Sequence, residues 1–411
     1  MNFIRKVLDQ HAEEGAFLWH LRQRAVGQPH YLLLELSKLD HRLDGHLDGL
    51  VVAGDAGWQF ALEQLDAFPE HGETFTCAYI GLAGRNQARI ARVLEAAAVP
   101  ANARAVVSAL GWLPHERDAQ DYVLQFGMSD DPLARRIGVA AGAIRRLPGG
   151  LVLQKALLDK DPGVAARAAR AVGELGATNL VGPLRPMLAA PDAETRFWAA
   201  WSLALLSNDT SALGELRTVA LTEKTYRWRA VDLVCRRGDP RSTVKWLPTL
   251  EVTPGGTRLL IQGLRAVGDP EAIPRLLEWM KDPPLARVAG EAFAHITGTH
   301  ISYDKLEADP PEGFESGPTE DPTDEDVALD PDGNLYWPDP AKCADWWAKN
   351  RKNFAAGTRY LDGKPIASDT LREVLRKGYQ RQRAAAALEL AMREPGKPLF
   401  EVRAPGFRQA P

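Results

Sequence analysis

Asp161-Pro162-Gly163-Val164-Ala165-Ala166-Arg167-Ala168-Ala169-Arg170-Ala171-Val172-Gly173-Glu174-Leu175-Gly176 decides the fold. Asp-Pro opens a helix: the carboxylate caps the first turn, and proline suits a position whose N–H has no partner anyway. The alanine pairs let a second helix approach closely, and a glycine near Gly173 or Gly176 closes the helix. Just upstream, Leu151-Val152-Leu153-Gln154-Lys155-Ala156-Leu157-Leu158 places apolar residues at helical spacing and supplies a partner helix. One such hairpin has more apolar face than it can bury alone.

Its neighbours are written along the chain. The pattern returns as Asp131-Pro132 with Arg135, as Asp192 through Arg196-Phe197-Trp198-Ala199-Ala200, and as Arg258 through Leu264-Arg265-Ala266-Val267-Gly268. Feeder helices recur in Leu180 through Leu188 and Ala272 through Leu277. Arg104, Arg135, Arg196, Arg227, Arg258 and Arg287 mark the period, with Ala165 in the vacant place. The intervals are 31, 30, 31, 31, 31 and 29 residues. Stacked hairpins that bury their faces against one another make an all-α solenoid.

A leucine-rich first helix followed by Asp-Pro-x-Val-Arg-x-x-Ala-Ala-x-Ala-Leu-Gly resembles the HEAT repeat. The resemblance covers residues 70–300, at the short end of that family's period. Helices in 1–69 form an N-terminal cap. Residues 301–334 read as an acidic, proline-rich tether, and 335–411 as a C-terminal Trp-rich helical segment. Within that last segment, Leu371-Arg372-Glu373-Val374-Leu375 and the run from Gly378 to Leu390 read as one more hairpin.

Charge sets the tether apart. From Asp304 to Asp332, twelve carboxylates face the single Lys305, with Pro310, Pro311, Pro318, Pro322 and Pro331 between them. Such a stretch stays solvated, although an acidic strap between positive bodies has the alternative of folding back. Residues 342–411 carry 15 Lys/Arg against 7 Asp/Glu, and residues 100–300 carry 25 against 21. Asp330-Pro331-Asp332-Gly333-Asn334 is a turn rather than a calcium loop, because Ala328 falls where the first carboxylate is needed.

An ordered set of shorter motifs carries a second resemblance. His46-Leu47-Asp48-Gly49-Leu50, Ala53-Gly54-Asp55-Ala56-Gly57-Trp58, Leu335-Tyr336-Trp337-Pro338, Trp346-Trp347 and Gln380-Arg381-Gln382-Arg383 with its alanine run span almost the whole chain. Together they resemble an uncharacterised proteobacterial HEAT-repeat family found beside type VI secretion loci. That resemblance implies an adaptor for a secretion spike or effector, and brings no catalytic residues with it.

Catalytic chemistry finds little foothold. His115-Glu116 is the only His-Glu pair, whereas a di-iron HEAT hydroxylase needs several. The histidines cluster before residue 72 without metal spacing, and Cys77, Cys235 and Cys343 lie far apart. No nucleophile elbow, phosphate loop or dinucleotide fingerprint occurs. We therefore expect a non-enzymatic, cofactor-free, metal-free protein. The start lacks a secretory leader and no stretch is long enough to span a bilayer, so we expect it in the cytoplasm.

Two features invite a binding role. Trp198 and Trp201, one helical turn apart, together with Arg229, are the candidate anchors for a protein partner. Tryptophan interleaved with arginine is also what a DNA-glycosylase-like nucleic-acid face uses. The near-neutral repeats make that the lesser reading, because duplex binding needs many uncompensated cations. The arginine series has a structural explanation: each arginine bonds a turn aspartate (Asp130, Asp131, Asp192 or Asp282) and fixes the angle between hairpins.

Overall fold

A computed structural model of the protein describes residues 4–317 and 329–409. It is all-α, with 21 α-helices among the described residues and one pair of two-residue strands. The chain forms two compact units. The first comprises Met1–Gly27, Tyr31–Asn208 and Glu394–Pro411; the second comprises Gln28–His30 and Asp209–Arg393. This division falls inside the repeat stretch and splits the C-terminal segment at residue 394. The boundaries expected near 70, 300 and 334 follow composition; the observed ones follow contacts.

In the first unit the opening motif behaves as its residues dictate. Pro132 and Pro162 occupy first turns, and Asp131 caps its helix by accepting from Leu133 and Ala134 N–H at 3.1 and 3.2 Å. Asp161 caps through Val164 N–H at 3.0 Å, and Asp192 through Thr195 N–H at 2.7 Å. The helices Pro162–Glu174 and Ala193–Leu206 pack against one another over much of their length. Gly173 permits that approach. A Cβ there would lie 2.5 Å from Ser202 Oγ and 2.8 Å from the Trp201 ring. Gly176, at φ +65°, is the glycine that ends the helix.

The N-terminal helices join the same core. Arg5–Ala25 packs on Leu33–Val52 and on His71–Ala83, with the buried Trp19 stacked on Phe75 at 5.1 Å between ring centres. Two histidine pairs, invisible to spacing rules, meet here. His11 and His46 approach to 3.1 Å, and His20 and His71 to 2.8 Å.

In the second unit the helices Arg227–Arg237, Gly256–Val267 and Pro283–Thr297 stack in turn. Ser368–Lys377 and Gln380–Arg393 form the additional hairpin, packed through Leu371, Val374, Ala385 and Ala386. Ahead of them Tyr360–Leu361 pairs antiparallel with Lys364–Pro365. Asp362 and Gly363 make the turn with φ +53° and +71°, the left-handed pair that a two-residue hairpin loop requires.

The tether expectation is corrected for the residues described. Ile301 and Leu306 are buried among Phe293 and Ile296, and Asp339 N–H donates to the Leu306 carbonyl at 2.7 Å. Ala308 N–H donates to Trp337 O at 2.9 Å. The strap is docked because its few apolar side chains reach the core and its aspartates reach arginines. Residues 318–328, which hold much of the remaining acidic run, lie outside the described residues.

Candidate protein-binding surfaces

The arginine series binds across longer distances in sequence than expected. Arg135 makes a two-pronged bond to Asp159, at 2.7 and 2.9 Å, and also donates to the carbonyls of Ser129 and Asp130. It thus ties its own turn to the next one. Arg196 donates to the Ala190 and Pro191 carbonyls, both at 2.9 Å. Asp131 and Asp192, expected to receive arginine, are occupied in capping helices. Arg227 reaches the Pro254 carbonyl at 3.5 Å, and Arg104 reaches Gln23 Oε1 at 3.2 Å.

The last two members take their carboxylates from the acidic strap. Arg258 clasps both oxygens of the buried Asp332. Arg287 pairs with Asp330 at 2.6 Å and lies over the Trp337 ring, 4.6 Å from its centre. The turn at Asp330-Pro331-Asp332-Gly333 therefore presents its two carboxylates to two guanidiniums. Sequence reasoning identified both partners and missed the pairing, since the two lie 43 and 74 residues apart (330 − 287 and 332 − 258).

Trp198 and Trp201 lie inside the first unit, 5% and 7% exposed. Trp198 meets Phe197 and Trp201 edge to face, at 4.7 and 5.6 Å, beneath the Arg170 guanidinium at 4.5 Å. From Phe197 to Leu206 every side chain is buried, and Pro162–Glu174 and Val181–Met187 pack against this helix. These rings cannot anchor a partner without unfolding the helix that carries them. Arg229 belongs to the second unit and is exposed.

The surface that does hold polypeptide lies elsewhere in the first unit. Residues 397–408 run along its helix ends, in turns and irregular conformation as far as a 3-10 turn at Gly406–Arg408. Leu399 N–H donates to Glu174 O at 3.0 Å, and Leu399 O accepts from Arg146 Nε at 2.5 Å. The carbonyls of Arg403 and Ala404 both accept from the buried Arg22, at 2.7 Å each. Gly406 N–H donates to Asp40 Oδ2 at 2.6 Å, and Arg408 donates to Gly111 O at 2.6 Å. Arg22 and Asp40 are themselves paired at 2.8 Å. Sequence offered one signal for this: Pro395-Gly396, Pro398 and Pro405-Gly406 forbid a helix and leave backbone groups to be bonded from outside.

The second unit holds a buried charge cluster and a cavity. Glu389, wholly inaccessible, meets Arg236 at 3.4 Å, Arg393 at 2.9 Å and Arg359 at 3.3 Å. Arg359 also donates to the Val267, Arg236 and Ala266 carbonyls, closing the ends of two helices, Arg227–Arg237 and Gly256–Val267. The cavity, about 430 Å³, is lined by His300, Tyr336, Tyr379, Arg287, Glu291 and Arg381 among others. Its charges cancel locally, with Arg381 on Glu291 at 2.8 Å and Arg287 on Asp330. Aromatic walls and a neutralised floor suit an uncharged planar side chain. The three cysteines are buried, and burial pushes each thiol upward, Cys343 to about 12, so none is poised as a thiolate.

His295 supplies a pH dependence. Burial, with Arg265 and Arg236 nearby, holds it well below its ordinary 6.5. The unfolded chain therefore binds the extra proton first. Stability is complete above about 6.5 and is lost as the pH falls below it. His20 and His46, lowered mainly by burial and then by His71 and His11, act in the same direction. Melting temperature should fall between pH 7.5 and 5, and His295→Gln should flatten that slope. An unchanged slope in the variant would exclude His295 as its source.

Comparison with known families matches residues 151–235 to a family described as HEAT repeats. That stretch holds the opening motif and the hairpins around it, and the fold is an all-α solenoid of HEAT-like repeats. A comparison with curated proteins gives no match. Repeats of this kind generally serve as protein-interaction scaffolds. Among the described residues no helix is long and apolar enough to cross a membrane.

Proposed function

We propose that this protein is a non-enzymatic scaffold that binds another polypeptide along its stacked helix ends. The observation that carries the reading is the seating of residues 397–408 on the first unit. Arg22, Asp40 and Arg146 bond that segment chiefly through its main chain, and Arg146 also reaches the Glu401 carboxylate at 3.2 Å. A surface that presents side chains to main-chain groups recognises extended polypeptide of varied sequence. Its recurring helix ends suit a partner whose contacts spread over several hairpins.

The resemblance to the type VI secretion-associated family makes a spike or effector protein the first partner to seek, in the cytoplasm. The tagged protein, purified from its own cell with nuclease treatment, should retain a protein partner. Duplex DNA should bind negligibly at physiological salt, because the repeats release few counterions. Steeply salt-dependent DNA binding without a protein partner would overturn the scaffold and favour a nucleic-acid face.

A further inference from the structure

The first unit gathers more guanidinium than it neutralises. Arg104 and Arg403 both donate to a single neutral oxygen, Gln23 Oε1, at 3.2 Å each. Among the described residues these are the only hydrogen bonds either guanidinium makes. Each arginine carries five N–H donors, so most of this capacity faces solvent. Nearby carboxylates are committed elsewhere: Asp40 to Arg22, Glu401 to Arg146 at 3.2 Å, and Glu174 to Arg167 and Arg170, both at 2.8 Å.

The two guanidiniums stand together on an accessible face. The side chains of Arg104 and Arg403 remain accessible, yet surrounding protein strips enough water to lower both. Burial, then the charge of Arg104 and later Arg22 and Arg170, brings Arg403 down to about 9. Arg104 is lowered by burial and then by Arg170. Like charges held together there raise the local positive potential.

We propose that the patch formed by Arg104, Arg403, Arg170 and Gln23 docks an acidic segment of a protein partner, whose carboxylates bond the guanidiniums that now share Gln23. The inference rests on the scaffold reading and gives its partner a chemistry. Two observations favour an acidic peptide over nucleic acid. Glu401, Glu174 and Asp40 interrupt the positive charge along this face, leaving no continuous track for phosphates. In the second unit, Arg258 and Arg287 already receive an Asp-Pro-Asp segment of this same chain. A pair of guanidiniums in this fold thus accepts closely spaced carboxylates, with charge-assisted bonds stronger than that to an amide.

The test uses the full chain and a fluorescein-labelled hexaglutamate peptide, followed by anisotropy. Wild type should bind, and less tightly as salt rises. Arg104→Gln/Arg403→Gln should weaken binding at least tenfold. Gln23→Glu places a carboxylate where the amide now stands. It should abolish binding while melting no lower than the parent, which separates lost docking from lost folding. Undiminished peptide binding in Gln23→Glu and in the double variant overturns the proposal. So does tighter, arginine-dependent binding of a six-nucleotide oligothymidylate, which reassigns the patch to nucleic acid. Capture from the native cell then distinguishes the two readings. A partner lost by Gln23→Glu supports this site. A partner retained by it overturns the site and leaves the scaffold standing. Wild type that captures no protein overturns the scaffold itself.

Discussion

Replacing Trp198 with alanine will lower the stability of the first unit by about 3–5 kcal/mol, the range for truncating a large aromatic in a packed core. The ring is 5% exposed and bounded by Phe197, Trp201 and the Arg170 guanidinium. Its loss empties space that the helix pair Pro162–Glu174 and Ala193–Leu206 cannot close, because Gly173 already brings the two into contact. Thermal or urea unfolding should show the change, and Trp201→Ala should behave similarly. A partner lost from a variant with unchanged melting would return these rings to the binding surface. A partner lost only in proportion to unfolding keeps them in the core.

Glu389→Ala should be comparably severe in the second unit. The carboxylate is inaccessible and contacts Arg236, Arg359 and Arg393. Removing it leaves Arg236 buried with only Asp232 for a counter-ion, at 2.8 Å. Breaking a buried ion pair in this way costs about 3–5 kcal/mol, because the remaining charge has been taken from water without compensation. Arg359 also loses the partner that directs it at two helix ends, so the variant should expose amides of residues 266–268 to hydrogen exchange. Parent-like melting and exchange would mean that water or a rearranged carboxylate replaces Glu389.

The repeat was legible because its determinants are local. Asp131, Asp161 and Asp192 cap the helices they precede, and the alanines and Gly173 act within two neighbouring hairpins. A 31-residue period displays such rules several times. The hairpin at Asp362-Gly363 was equally local, with its signal in the chain, and went unread among the helices. What sequence could not supply was long-range pairing. Nothing in Arg287 selects Asp330 over Asp282, and nothing in Arg22 points to carbonyls nearly four hundred residues away. Two tryptophans one turn apart are compatible with a docking face or a core. Only the packing of both flanks of Ala193–Leu206 decides between them. Net charge was misleading in the same way: separate counts for 100–300 and 342–411 do not reveal that Arg104 of one and Arg403 of the other crowd on one amide oxygen.

The seating of residues 394–409 on the first unit has a consequence for biosynthesis. Arg22 and Asp40 leave the ribosome well before the main chain that covers them, which follows 381 and 366 residues later. Throughout the synthesis of residues 209–393 the first unit must exist without its clasp, its paired charges open to solvent. Those helices can form early, but their final closure waits for translation to pass residue 406. A nascent chain is therefore open along that edge until residues 403 and 404 arrive, and any segment able to offer two carbonyls to Arg22 competes with the protein's own.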